Sequence, residues 1–402
     1  MAERYPGGVI SKTPPVVTGP TGGEGGSASG MWTLDTVLEY EKAGAWPKPV
    51  LPREIYALGL GTSGQLGDGA AINRSSPVQV GALTDWKSVS SGVLNTLAVK
   101  SNGTLWAWGS GSLGKLGTNS TISQSSPIQV GALTDWRSVS CGKDHTISVK
   151  INGTLWAWGN GGDGQTGLNN ADSRSSPTQV GALDNWAKIS AGWTHSLSVK
   201  DDGTLWAWGN GANGRIGDGT VISRSSPVQI GALTNWSLVS AGKYHSSSVK
   251  TDGSLWTWGN PSFGCLGDGV IVARSSPVQV GSLTDWAFVS AGTYATAAIK
   301  VNGTLWAWGF NTLGQLGDGT IVNRSSPVQI GALTNWSHVA AGNRFIISSK
   351  ADGTLWAWGT NSSGQLGQDD VIRRSSPVQV GSLTDWAQVS ATGYFAHALV
   401  EV

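Results

Sequence analysis

From position 54 to the C-terminus, hydrophobic and polar residues alternate in short runs, and the alternation itself repeats. The string Leu-Trp-Ala-Trp-Gly, once with Thr for Ala, carries its first Trp at Trp106, Trp156, Trp206, Trp256, Trp306 and Trp356; Tyr56-Ala57-Leu58-Gly59 opens the series a further 50 residues upstream. A fixed step of this length built from short alternating segments is the signature of a propeller or solenoid. One unit, Trp186 to Ile230, shows the elements. Ile189 and Ala191, then Leu197 and Val199, alternate as strands do; Asp202-Gly203 is a two-residue hairpin turn; Leu205 to Trp208 alternates again; Pro227 to Ile230 forms a short last strand. Each repeat therefore predicts a four-stranded antiparallel blade. A proline suits an outer edge, where a missing N–H costs no ladder bond, so the order from centre to rim is WxxVSAG, HTLAVK, TLWAWG, SSPVQV.

The two ends of the series complement each other. Trp386 to Val402 supplies only the first two strands of a unit, whereas the series opens at Glu54 with a third strand that has no hairpin partner before it. His397 to Val402 is expected to pair with Arg53 to Gly59, which closes a seven-bladed, all-β ring without an exposed sheet edge. Ala391-Thr-Gly-Tyr-Phe-Ala-His397 fits the pattern only with one inserted residue, expected as a bulge. Nineteen of the 22 tryptophans occupy three fixed repeat positions, which assigns them to the scaffold rather than to a site. The two in each LWxWG share a face and should pack on a neighbouring blade.

Composition narrows the chemistry. With 26 basic against 25 acidic residues and only 13% charged, the chain offers no stripe for nucleic acid. Met1 to Ile10 lacks a basic start and an apolar run, and no stretch approaches a membrane span, so neither a signal peptide nor membrane insertion is expected. Cys141 and Cys265 fall at different repeat positions and are read as incidental reduced thiols. His145, His195 and His245 share one repeat position and should stand on successive blades, which suits structural hydrogen bonding better than metal ligation. The loop carrying Asp68, Asp218, Asp268 and Asp318 offers one carboxylate where calcium wants several. Each of these acids precedes an Arg (Arg74, Arg224, Arg274, Arg324) by six residues; in the second repeat both are replaced, by Thr118 and Gln124. An ion pair within the loop, with the Arg also bonded to backbone carbonyls, is the expectation. No phosphate-cradling loop, nucleophile elbow or acid pair appears, so the chain reads as a non-enzyme without metal or cofactor.

The repeated string GxxHTLAVKxDGTLWAWGxNxxGQLGDG resembles the repeat of the regulator of chromosome condensation family, over Glu54 to Val402 and in all seven copies. The resemblance implies a seven-bladed β-propeller closed by terminal strand exchange. It does not imply one function, because the fold hosts nucleotide-exchange factors, a plant ultraviolet-B photoreceptor, inhibitors of β-lactamases and many bacterial and viral proteins. The even 50-residue step between Trp106 and Trp356 leaves no room for the exchange factor's inserted wedge. Only Trp193 stands at the GWxHT position, where the photoreceptor gathers several tryptophans.

Residues 1–52 read as a separate arm. Pro6 to Gly30 is rich in Gly, Pro, Ser and Thr, and Thr36-Val-Leu-Glu39 with Gly44 predicts one short helix flanked by Trp32 and Trp46. Trp32, Leu34, Leu38, Tyr40 and Trp46 are the candidate anchoring residues. Residues 27–49 resemble N-terminal segments of predicted structural proteins of tailed bacteriophages.

Within the repeats, the DG turn and GALTDW link hardly change, while the GxxH loop varies. The candidate partner-binding residues are Lys143, Trp193, Lys243, Tyr244, Tyr294, Arg344, Tyr394 and Phe395, on one face, opposite the face where the chain enters and leaves the ring. The expected function is a binding propeller of a phage virion, tail-associated or decorating, located in the virion and otherwise in the cytoplasm. Its arm would hold other virion proteins, and its variable face a protein or a cell-surface glycan. The alternative is a bacterial protein–protein interaction module.

Overall fold

The computed structural model describes residues 52–402, and the expectations for the arm, its helix and its anchoring residues lie outside them. Seven four-stranded antiparallel sheets make up the described chain. Blade 1 comprises Trp86–Ser91, Asn95–Lys100, Leu105–Gly109 and Gln124–Gln129; blades 2 to 6 repeat this pattern at 136–179, 186–229, 236–279, 286–329 and 336–379. Blade 7 takes Trp386–Ala391 and Phe395–Glu401 from one end of the chain and Arg53–Gly59 and Arg74–Gln79 from the other.

The closing pair runs in continuous register from Arg53 opposite Glu401 to Gly59 opposite Phe395. Arg53 and Glu401 are joined by an ion pair at 2.6 Å, and the Val402 N–H donates to the Pro52 carbonyl at 2.9 Å. The expected insertion near Ala391 is absent. Ala391 faces Ala396 as Ala191 faces Ser196, so Phe395 stands at the histidine position and only the glycine has moved, to Gly393. The register shift in this blade lies between Trp386 and Gln388, where every other blade also has it.

Local chemistry explains each element. At the hairpin turn the Asp202 carboxylate accepts from the Thr204 N–H at 2.9 Å and hydroxyl at 2.6 Å, and Gly203 sits at φ +75° with a Cβ's place only 2.1 Å from the Thr234 carbonyl. Only glycine fits there. The rim strand pairs Val228 with Ala207 and then jumps to Arg224 with Gly209, so Pro227 sits beside an irregularity where its missing N–H breaks no regular ladder.

Blades interlock through their tryptophans. Trp186 and Trp208 of blade 3 pack into Ile147, Val149, Leu155, Ala157 and Val180 of blade 2. The Trp208 Nε1 donates to the Gln165 carbonyl of blade 2 at 2.9 Å. At roughly 150–250 Å² per buried ring and about 25 cal/mol per Å², each such tryptophan contributes several kcal/mol to its junction before entropy. Towards the axis, a serine hydroxyl of six of the seven first strands accepts the next blade's N–H: Ser190 from Ala241 at 2.9 Å, and, across the closure, Ser390 from Ser91 at 2.8 Å. Ala340 takes the serine's place between blades 6 and 7, where Phe345, Ile347 and Ala396 supply apolar packing instead.

The lysine that ends each second strand has a role the sequence did not suggest. Lys200 lies 4.5 Å from the Trp186 ring centre and 4.0 Å from that of Trp206, and Lys350 and Lys250 repeat the arrangement. Burial lowers the Lys200 ammonium from its ordinary pKa, with Asp202 opposing. In blade 7 Val400 replaces the lysine, and Tyr56 packs edge-on against Trp386 at 5.6 Å.

Candidate partner-binding face

Among the described residues, the repeated histidines and loop acids each bond within the fold. His145, His195 and His245 are wholly buried, and each Nε2 meets a hydroxyl of the next blade, on Ser196, Ser246 and Thr296, at 2.8, 2.9 and 2.8 Å. Burial lowers the His145 and His245 imidazoles to about 4, so both are neutral. Each loop acid holds its arginine: Asp68 with Arg74, Asp218 with Arg224, Asp268 with Arg274 and Asp318 with Arg324. The other carboxylate oxygen takes a backbone N–H two residues on, in Thr220 for Asp218, rather than the arginine bonding backbone carbonyls. Arg174 and Arg374, which lack that acid, pair with Asp172 and Asp370 instead.

The face that carries the GxxH loops differs in kind. Lys243 of blade 4 places its Nζ 3.7 Å from the Trp193 ring centre of blade 3 and 4.8 Å from that of Tyr244. Tyr244 stacks on Tyr294 of blade 5 at 5.1 Å. Phe263 meets Tyr294 edge-on at 5.2 Å and Phe310 at 4.7 Å, and the Arg344 guanidinium of blade 6 lies 5.9 Å from Phe310. Lys143 of blade 2 extends the group, 5.9 Å from Trp193 and bridged to Asp144. Beneath the surface, the buried Arg215 donates to the Lys243 carbonyl at 3.1 Å and lies against Tyr244 at 5.4 Å. Of the two tyrosines, burial and the neighbouring Tyr244 push Tyr294 up to about 12; on Tyr244 burial is outweighed by Lys243, and its hydroxyl is lowered.

Six of the sequence-chosen residues, Lys143, Trp193, Lys243, Tyr244, Tyr294 and Arg344, thus form one run across blades 2 to 6. Tyr394 stands half-buried on blade 7, and Phe395 does not belong to the face: it lies within a strand, wholly buried, at the histidine position. Phe263, Phe310 and Arg215 were missed because they sit in the third-to-fourth connections. Phe310 and Arg215 there replace the usual polar residue and glutamine.

One side chain sets the shape of those connections. Where the loop carries Gln65, Gln165, Gln315 or Gln365, its Oε1 accepts the N–H of the residue two before it, at 2.7, 2.8, 3.0 and 2.8 Å. Where Lys115, Arg215 or Cys265 stands instead, that residue turns left-handed: Leu113 at φ 58°, Asn213 at 58° and Phe263 at 60°. Phe263 is 41% exposed in this conformation, which carries it onto Tyr294 and Phe310.

The described residues thus define a seven-bladed β-propeller, closed by strands from both ends of the chain, that carries one aromatic, basic face. The chain belongs to the RCC1-like family: the RCC1-like domain matches residues 50–292, and the regulator of chromosome condensation (RCC1) repeat matches residues 302–348 and 352–399. A second form of that repeat matches 286–315 and 336–365. No curated protein matches the sequence. Among solved structures, human WBSCR16 is similar over 87% of this chain and 99% of its own, with 21% identity and a TM-score of 0.79. Prp20p from Saccharomyces cerevisiae, described with its binding to Gsp1p and histones, is similar over 88% and 92%, at 20% identity and a TM-score of 0.77. The yeast protein in its complex with Kap60 gives 19% identity, a TM-score of 0.77, and coverage of 88% and 90%. At these identities the likeness is one of fold.

Proposed function

We propose that this RCC1-like propeller is a non-catalytic binding module that reads a partner with its aromatic and basic face, as a tail-associated or decorating component of a tailed-phage virion. The convergence of variable residues from five consecutive blades carries the binding reading. Most scaffold positions keep their identity from repeat to repeat, while the two variable positions of the GxxH loop supply Lys143, Trp193, Lys243, Tyr244, Tyr294 and Arg344, which fall into one contiguous group. Clustered aromatic and cationic side chains of this kind are the usual anchors of protein recognition. The second strand of blade 7 leads away from the Tyr394 loop, so Pro52 and Val402 lie beside one another at the opposite end of the blade. The arm, residues 1–52, is the part proposed to hold other virion proteins. The virion assignment rests on residues 27–49 and their resemblance to phage structural segments. That segment lies outside the described residues. Mass spectrometry of purified particles tests it: peptides of this chain in stoichiometric amounts are expected. Their absence from particles, with the chain in the bacterial soluble fraction, would leave a bacterial protein–protein interaction module.

A further inference from the structure

Building on the binding-face reading, we infer that the partner presents an acidic polypeptide segment with apolar side chains, rather than a glycan. The first ground is unpaired charge. Arg74, Arg174, Arg224, Arg274, Arg324 and Arg374, at one repeat position on the rim, each hold an aspartate, and Lys115 and Lys143 share Asp144. Lys243, between Trp193 and Tyr244, and Arg344, beside Phe310 at the blade 6 end of the group, form no ion pair among the described residues, and neither does the buried Arg215 beneath them. Arg344 is exposed and held at φ 68°, a conformation that a bulky residue adopts at a cost. Two cations side by side with aromatic rings, one half-exposed and one exposed, and no ion-pairing acid on either, make this place complementary to anionic groups.

The second ground is the state of the rings. A sugar stacks on an aromatic face that is open. Here the Trp193 ring carries the Lys243 ammonium at 3.7 Å, Tyr244 and Tyr294 cover one another at 5.1 Å, and Phe263 lies against both Tyr294 and Phe310. The depression between Thr293, Phe310, Gln315 and Arg344 admits little more than a water molecule, which is too small for a sugar ring. What remains is ring edges, the exposed Phe263 and two cations: a surface for apolar side chains next to carboxylates.

The test uses the full chain on a biosensor with two probes, a random copolymer of glutamate and tyrosine and, as anionic glycan, heparin. Wild type and the Lys243→Ala, Arg344→Ala double variant are compared, each checked for an unchanged unfolding midpoint. The copolymer is expected to bind wild type in preference to heparin, to weaken with salt, and to lose at least tenfold in affinity in the double variant. Heparin bound in preference, with the same loss in the variant, keeps the face and overturns the acidic segment. Probes that bind wild type and variant alike overturn both the inference and the face. A wild-type chain that binds neither probe overturns the inference alone, since the particle experiment still reports on the function.

Discussion

Replacing Cys265 with glutamine should rebuild one loop of the binding face while leaving the propeller as stable as before. In four loops a glutamine at this position captures the tip N–H, and all four side chains are buried as Cys265 is, so the space for it exists in the fold. The new side chain is expected to accept the Phe263 N–H and to take Phe263 out of its left-handed conformation at φ 60°. Relief of that conformation is worth about 1–2 kcal/mol, and the captured N–H adds about 1 kcal/mol. Against this stand the contacts of Phe263 with Tyr294 at 5.2 Å and Phe310 at 4.7 Å, about 0.5–1.5 kcal/mol each. The terms nearly cancel, so the unfolding midpoint should move by only a few degrees. A double-mutant cycle isolates the effect: Phe263→Ala should cost about 1–3 kcal/mol in the native background and close to nothing in the Cys265→Gln background. Denaturant unfolding of the four proteins measures the cycle, and a crystal structure of the single variant shows the loop. An equal cost of Phe263→Ala in both backgrounds, or Phe263 still at positive φ beside Tyr294 in the variant, would refute the rule.

Gly267 and Gly281 separate backbone strain from close packing: both have positive φ, +76° and +62°, but a Cβ on Gly267 would lie 2.5 Å from Trp308 Nε1 and one on Gly281 meets nothing within 4 Å. Gly281→Ala should cost about 1–2 kcal/mol, and Gly267→Ala about 1–3 kcal/mol more by displacing the buried tryptophan; thermal unfolding giving equal losses would refute the contact. His145 and His245 are held neutral, with pKa lowered from 6.5 to about 4 by burial. The unfolded chain therefore binds the extra protons as pH falls from about 6.5 towards 4, and stability drops across that window by on the order of 3 kcal/mol per histidine. His245→Asn should flatten the decline in denaturant midpoints measured at pH 7.5, 5.5 and 4.5; an unchanged slope would exclude His245 as a source. For Asp218, burial raises the carboxyl's pKa but hydrogen bonds from Thr220 and Arg224 outweigh it, and the net effect is a lowering. With the Arg224 side chain 33% exposed, Asp218→Asn should cost only about 1 kcal/mol at pH 7. That difference is complete above the ordinary carboxylate range and vanishes as pH falls through the lowered folded value; urea melts at pH 7 and pH 3 check it.

Strands, their order and the closure were legible because each rests on local chemistry that recurs: period-two burial, the Asp-Gly turn of Asp202-Gly203, and chain ends that supply complementary halves of one blade. What escaped depends on contacts between blades. The lysine at the end of each second strand reads as a solvated terminus, and only the fold sets Lys200 between Trp186 and Trp206. Gly393 displaced by one position mimics an insertion, because the glycine is the most visible marker in that loop while the strand register is set by Phe395 and its neighbours. The GxxH loops were recognisable as variable, and their residues on blades 2 to 6 do meet. Phe263 and Phe310 were hidden in connections whose glycines hold the eye, and the conformational role of the glutamine position nearby becomes visible only when seven loops are compared.

Everything said of the two faces depends on the ring being closed by strands from opposite ends of the chain. Cysteines in place of Arg53 and Glu401, which face one another across that pair, test it in one step. Opposed residues of an antiparallel pair lie about 4.5–5.5 Å apart, within reach of a disulfide. The native Cys141 and Cys265 do not compete, because both are buried and burial pushes their thiols up to about 12. Mild oxidation of the double variant should give a monomer with one internal cross-link and a raised unfolding midpoint; spanning a separation of 348 residues, the bond is worth at most about 6 kcal/mol in the chain-entropy limit. Free thiols, or disulfides only between molecules, would show that the ends do not meet.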